Sequence, residues 1–203
     1  MRRLITNTFL TLDGVMQAPG GPEEDADGAF AHGGWSVNFW DDHANQVMGQ
    51  TMGVPFDLVL GRRTYDIFAA HWPRVSDDEG GKPLNEARKY VASRNRPALE
   101  WRNSVLLDED VPAAVAALKA DDGPELQVHG SADLLQTLIR HGLVDEYRLW
   151  TFPVVVGAGK RLFADGVVPG TLELVDSSVS TTGVVIGTYR PAGALTLGSF
   201  ALD

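Results

Sequence analysis

The sequence predicts an α/β fold: a central, mostly parallel mixed sheet with helices on both faces and a C-terminal β-hairpin. Three observations carry this. Apolar β-type runs alternate with segments of helical periodicity through most of the chain, which is the pattern of parallel strands joined by crossover helices. Two of the strands lead into a helix through a glycine, at Gly61 and at Gly130. The tail carries two β-rich runs, Thr171–Val179 and Val184–Tyr189, joined by Ser180-Thr181-Thr182-Gly183, a hairpin signal.

The elements follow in order. Arg3–Leu10 reads as a strand. Asp13–Gly34 is rich in Gly, Pro and Asp and is too long for a tight connection; such loops inside a domain are usually functional or mobile. Asp41–Met52 is helix-like, 57–60 a short buried strand, 63–71 a helix and Lys89–Ala92 a strand. Then come strand Ser104–Leu107, helix Pro112–Ala120, strand 125–129, helix 131–141 and strand Glu146–Phe152. In the second last of these Leu134, Leu135, Leu138 and Ile139 recur at helical spacing, and Gly142 follows where a left-handed cap belongs.

With 203 residues, 44% hydrophobic and 22% charged, one globular domain spanning 1–203 is expected. The absence of cysteine excludes disulfides, thiolate metal sites and cysteine nucleophiles, and fits a reducing compartment. The N-terminus lacks a signal-peptide pattern, and no apolar run approaches the roughly 18 residues of a membrane helix, so a cytoplasmic location is expected, with no membrane partner. A net charge of −10 argues against a nucleic-acid surface. Residues 61–102 nevertheless hold nine of the 17 Lys/Arg against six acids, a basic island suited to a small polyanion, although chance clustering would give the same count. The third glycine of a dinucleotide fingerprint is missing after Gly157-Ala158-Gly159, and Walker A, HExxH and zinc-deaminase signatures are absent. No metal site is expected. His32, His43, His71, His129 and His141 show no ligand-like spacing and read as surface or packing residues.

Strand, glycine and helix start is the arrangement that offers backbone N–H groups and a positive dipole end to a phosphate. An ordinary βα turn would use Gly130 as well. In the Gly61-Arg62-Arg63-Thr64 turn two arginines stand at a helix start, against the dipole, and a bound anion would relieve the conflict; two solvated arginines on a loop are the alternative.

Four segments in register, TFLTLDGVMQAPGG, DLVLGRRTYDIFAAHWP, KYVASR and HGSADLLQTLIRHGLVDEYRLWTFPVVVGAGKRLF, together with TTGVV in the tail, resemble the dihydrofolate reductase superfamily. The likeness is greatest to the branch of the C-terminal reductase domain of bacterial riboflavin-biosynthesis deaminase/reductases. It implies a three-layer dihydrofolate-reductase-like fold and NADPH-dependent hydride transfer to a small heterocycle of pteridine, pyrimidine or flavin type, with a non-catalytic nucleotide-binding module of the same fold as the alternative. Carried over by position, Gly61, Arg62, Arg63 and Thr64 match the first phosphate turn, Ser93 and Arg94 the pair on the 2′-phosphate, with Arg63 and Arg96 raising the local potential, and Gly130, Ser131 and Ala132 the turn under the pyrophosphate. Gly157 shapes a neighbouring loop. On the substrate side the resemblance points to Asp13 as a proton-handling residue beneath a closing 13–34 loop, and to Trp40 and Asp41 as substrate contacts; an Asp-Gly turn and a core tryptophan are the plain alternatives. Asp13, Asp41 and Asp42 compete for the substrate-side carboxylate. Members of this branch commonly dimerise, and the apolar tail hairpin is the expected homodimer edge.

Overall fold

The computed structural model describes residues 1–77, 80–95, 97–107 and 109–200; Arg96 lies outside the described residues. Eight strands form one sheet: β1 (Leu4–Thr11), β2 (Phe56–Gly61), β3 (Lys89–Ala92), β4 (Ser104–Leu106), β5 (Glu125–His129), β6 (Glu146–Phe152), β7 (Leu172–Val179) and β8 (Val185–Pro191). Their order is β4-β3-β2-β5-β1-β6-β8-β7. The first six pair in parallel; β8 runs antiparallel to β6, and β7 to β8. The helices are α1 (Asp42–Gly53), α2 (Arg62–His71), α3 (Gly81–Glu86), α4 (Val111–Ala120) and α5 (Ala132–Arg140). The predicted α/β class and terminal hairpin therefore stand. Helix α3 was not anticipated, because Gly-Lys-Pro-Leu-Asn-Glu has two poor helix formers in its first three positions.

Strand alternation sends side chains to opposite faces, and each face is covered. Leu4, Leu126, Val128, Val59, Tyr147 and Leu149 meet α4 and α5 through Val115, Leu134, Leu135 and Leu138. On the other face Phe56, Leu58, Leu60 and Val91 pack against α2 and α3 through Tyr65, Phe68 and Leu84. Trp150, Phe152 and Ile186 pack against α1 through Ala44, Val47 and Met48. Lys89 is fully buried on this side. Its ammonium donates to the carbonyls of Asn85 (2.8 Å) and Arg102 (3.2 Å) and lies 4.1 Å from the Trp101 ring centre. Burial, reinforced by the nearby Arg102 charge, pulls its pKa down to about 8.

Between those two apolar clusters runs a polar ladder across β5, β1 and β6. Glu146 accepts from Arg3 (3.1 Å), Arg148 (2.9 Å) and Arg190 (2.8 and 3.0 Å), and Arg148 also donates to Glu125 (3.2 Å). The three guanidinium groups outweigh burial and hold the Glu146 carboxyl below its usual range. Gln127 gives its amide N–H to Glu125 (2.7 Å). Its oxygen therefore faces Asn7 Nδ2 (3.1 Å) and His129 Nε2 (2.9 Å). A carboxylate accepts only, so Glu125 sets the orientation of Gln127, and Gln127 that of the next two groups. Burial, with a smaller push from Arg148, lowers the His129 pKa to about 4, so the ring is neutral and donates through Nε2.

Two stability tests follow. Arg2 is buried and pairs with Asp57 while donating to the Pro124 carbonyl (2.6 Å). Arg2→Met leaves Asp57 without its counter-charge and is expected to cost about 3 kcal/mol in denaturant unfolding; a change within error would mean solvent replaces the arginine. His129 has a folded pKa of about 4 against 6.5 unfolded, so the unfolded chain binds the extra proton between these values. Stability is full above pH 6.5 and falls as the pH drops toward 4, by at most about 1.4 kcal/mol per pH unit from this residue. His129→Gln should remove that part of the slope, read as the difference between two pH titrations of unfolding.

Candidate active-site cleft

The site is organised by strand adjacency. Because β2 and β5 are neighbours, the two glycine turns that follow them lie side by side at the carboxyl end of the sheet. They are fastened together. The Gly61 N–H donates to Ser131 Oγ and the Ser131 N–H to Thr64 Oγ1, both at 2.9 Å. The chain makes this corner with two successive left-handed residues, Gly130 (φ 56°) and Ser131 (φ 57°). A Cβ on Gly130 would stand 3.4 Å from both Thr64 Cγ2 and Oγ1, a close but ordinary contact, so it is the left-handed dihedral that calls for glycine here. The serine is held in a conformation it rarely adopts because its amide and its hydroxyl are both bonded across the gap.

The helices differ in how they begin. Asp41 caps α1 by accepting from the Ala44 N–H (2.7 Å), and Asp110 caps α4 through Ala113 (3.1 Å). Helices α2 and α5 have no side-chain cap. Both start on a cleft of about 1910 Å³. Their first-turn amides thus point a positive dipole end, without a capping oxygen, into the same space.

The cationic groups at this end have unequal freedom. Arg62 pairs with Asp66 (2.8 Å), which raises its pKa, while its Nη1 is buried with no partner. Arg63 is engaged by Asp25 (3.0 Å) and Asp27 (2.8 Å). Lys160 reaches the same two acids at 2.8 and 2.9 Å. The Lys160 bond holds the Asp27 pKa down, with Arg63 contributing; Asp25 and Asp27 keep Lys160 charged against its partial burial. The 13–34 loop is therefore latched to the start of α2. The dipole conflict read from the two arginines is met, in part, by carboxylates of the chain itself. Arg94 is exposed on the cleft beyond β3 and makes no hydrogen bond or ion pair among the described residues. Ser93 also lines the cleft, with its hydroxyl donated to the Asn95 carbonyl (2.9 Å).

Of the residues singled out in the sequence, Gly61, Arg62, Arg63, Thr64, Ser93, Arg94, Gly130, Ser131, Ala132 and Trp40 line this one cleft. Asp13, Asp41 and Gly157 do not. The Asp13 carboxylate is turned to the neighbouring loop, where it accepts from Thr11 Oγ1 (2.6 Å), Gly157 N–H (2.8 Å) and Val156 N–H (3.3 Å). The Thr11 bond, with the two amides, lowers its pKa. Arg161 closes the knot on the Asp13 carbonyl and the Gly157 carbonyl. In this structure Asp13 does not line the cleft expected for it; it anchors the loop, its carboxylate held by two backbone donors and a hydroxyl. Asp41 is likewise absorbed, as helix cap and as acceptor for Thr181 N–H and Oγ1 (both 2.7 Å), with the Ala44 amide the main cause of its lowered pKa. Trp40 lines the cleft while packing on Phe9 and Trp150 at 5.8 and 5.6 Å.

Among the cleft residues that the sequence reading did not assign to the site are Asn7 and His129, register partners on β1 and β5. Asn7 is only 6% exposed, and its Oδ1 is buried without a partner. His129 lies between Phe56 and Phe68, at 6.5 and 6.3 Å. The only sequence signal was the place of His129, last on its strand before the glycine turn.

Known proteins agree with this architecture. The structure is similar to a protein of Shewanella sp. PV-4 assigned to riboflavin biosynthesis (TM-score 0.69, 18% identity, 94% of this chain and 99% of that one). It is also similar to a pyrimidine reductase-like protein of Corynebacterium diphtheriae (0.60, 14%, 94% and 92%). A third likeness is to the dihydrofolate reductase of Enterococcus faecalis complexed with NADP(H) (0.59, 16%, 94% and 96%). At these identities the likeness concerns the fold. In sequence, the uncharacterized protein YyaP of Bacillus subtilis (strain 168) is 30% identical over 198 residues, 93% of this chain and 95% of that protein. The family described as RibD C-terminal domain matches residues 2–186, and the chain belongs to that family.

Proposed function

We propose that the chain is an NADPH-dependent reductase that delivers a hydride to a small heterocycle. The observation that carries this reading is the pair of uncapped helix starts, α2 and α5, bound to each other and opening on one cleft that also bears Arg94, an arginine without an ion pair among the described residues. A dinucleotide has matching parts. Its pyrophosphate suits the amides at Gly130–Ala132 and at the start of α2, where the Arg62 Nη1 also lacks a partner. Its 2′-phosphate suits Arg94, whose planar fork binds phosphate through two N–H groups. NADPH supplies the hydride when bound. The protein's own work is then to hold the nicotinamide end against Trp40 and the floor of the cleft, and to keep water out with the latched loop. With Asp13 and Asp41 committed elsewhere, and with His129 neutral and a poor acid near pH 7, none of these side chains is placed to protonate the reduced ring, and its proton enters with a water when the latched loop opens.

Two expected outcomes test this reading. Arg94→Ala should weaken NADPH by about ten- to a hundredfold, leave NADH nearly unchanged and flatten the salt dependence of NADPH binding, as read from quenching of the five tryptophans. Equal loss for both cofactors would assign Arg94 another role, and binding without turnover of any pteridine, pyrimidine or flavin would leave a nucleotide-binding module.

The chain is proposed to act as a homodimer through β7. This edge strand exposes Leu174, Val175 and Val179, and Val185 lies beside it on β8. Light scattering should give twice the chain mass of 21.9 kDa, and Val179→Lys should return the monomer. A monomer at micromolar concentration would reject this interface. No helix among the described residues is long and apolar enough to cross a membrane. The proposed site of action is the cytoplasm.

A further inference from the structure

One polar group on the floor of the cleft is left bare. Asn7 lines the cleft from β1, is 6% exposed, and keeps Oδ1 buried with no hydrogen-bond partner. Buried acceptors are nearly always paired, because an oxygen stripped of water and given no donor is costly. The orientation of this amide is set by a relay that starts at a carboxylate. Glu125 accepts from Gln127 Nε2 (2.7 Å), which turns Gln127 Oε1 toward Asn7 Nδ2 (3.1 Å) and His129 Nε2 (2.9 Å). Asn7 therefore commits its nitrogen to Gln127 and is left with its oxygen. His129 is arranged in the same sense. Its Nε2 carries the hydrogen, and burial, reinforced by the Arg148 charge, holds its pKa at about 4, so Nδ1 is an unprotonated acceptor. That nitrogen makes no hydrogen bond among the described residues. His129 also lines the cleft and is the register partner of Asn7 on β5. The two side chains thus share one face of the sheet, on strands about 4.8 Å apart, and each presents an acceptor. The torsion that turns an asparagine amide is soft, so a group seated on the floor can draw Oδ1 toward it while Nδ2 keeps Gln127. Such a group must donate, since an acceptor set against two acceptors is repelled. On a flat ring or a carboxamide the donor that fits is –NH2.

We infer that Asn7 is a specificity-determining residue that takes a planar –NH2 group through Oδ1, with His129 Nδ1 as the second acceptor. The inference rests on the reductase reading, under which the group comes either from the cofactor's carboxamide or from an amino-substituted ring. Two probe pairs separate these sources, both read by tryptophan quenching, with Trp40 on the wall of the same cleft. In the first, the reduced 3-acetylpyridine analogue of NADPH carries a methyl group where NADPH carries –NH2. In the second, 2,4-dimethoxypteridine replaces both amino groups of 2,4-diaminopteridine. Wild-type protein should favour the –NH2 member of at least one pair by about tenfold or more. Asn7→Leu should abolish that preference while leaving the affinity for the other member nearly unchanged. His129→Phe removes the second acceptor, should weaken the same preference, and decides the matter should Asn7→Leu not fold. No preference in either pair, or a preference that survives these variants, overturns the inference. The reductase reading fails separately. Normal NADPH binding with no preference in either pair sinks this inference only. A diaminopteridine preference that depends on Asn7, with no binding of NADPH, sinks the reductase and leaves Asn7 its role.

Discussion

The cleft depends on one constraint, the closeness of two βα turns on adjacent strands. Parallel strands stand a fixed distance apart, so residues that follow β2 and β5 must either repel or bind each other. Here they bind. Ser131 spends both its amide and its hydroxyl on the partner turn, and Thr64 and Gly61 answer. The gain in rigidity has a cost in ligand donors: of the amides in the corner, those of Gly61 and Ser131 are already used. The remaining first-turn amides are what a phosphate can meet. A capping carboxylate on α2 or α5 would fill the position an anion at these helix starts would need, and neither helix has one.

Around this fixed corner the structure arranges parts with less constraint. The 13–34 loop has little regular structure of its own and is held at separate points: Asp13 on the 156–157 amides, Gln17 Oε1 on the Lys160 amide, and the carboxylates of Asp25 and Asp27 on Arg63 and Lys160. The first two attachments are hydrogen bonds to backbone groups. The third is an ion-pair network at the surface, the kind most weakened by salt and by a competing anion. A phosphate at the start of α2 would compete with the two aspartates for Arg63, so loop and ligand share one guanidinium.

Much of the fold was legible because its signals are local. The boundaries of β3, β5 and β6 follow from β-type runs ended by turn residues, and Gly130 announces a turn whose left-handed backbone few other residues tolerate, whereas Gly61 marks its turn with an ordinary extended backbone. The site was legible only where it is made of backbone. That Arg63 would meet Asp25 and Asp27 depends on how a loop nearly forty residues upstream folds back, and no spacing encodes it. Asp13 follows a strand and precedes a glycine whether it faces a ligand or a neighbouring amide. The polar floor was hidden for a different reason: Asn7 and His129 become neighbours only through the register of β1 on β5, and the neutrality of His129 comes from burial that a strand pattern does not reveal.

Lys89 gives the sheet a built-in chemical clock. The chain has few lysines, and this one has no solvent exposure, with its ammonium locked between two carbonyls and an indole. An acylating reagent reaches an amine only when the amine is wet and unprotonated. Its modification therefore times the parting of the β2–β3–β4 edge from α3, while the exposed Lys82 reports only the reagent's own speed. Because α3 sits against the α2 side of the cleft, slower labelling in the presence of a ligand would register occupancy from behind the wall, at a residue the ligand never touches.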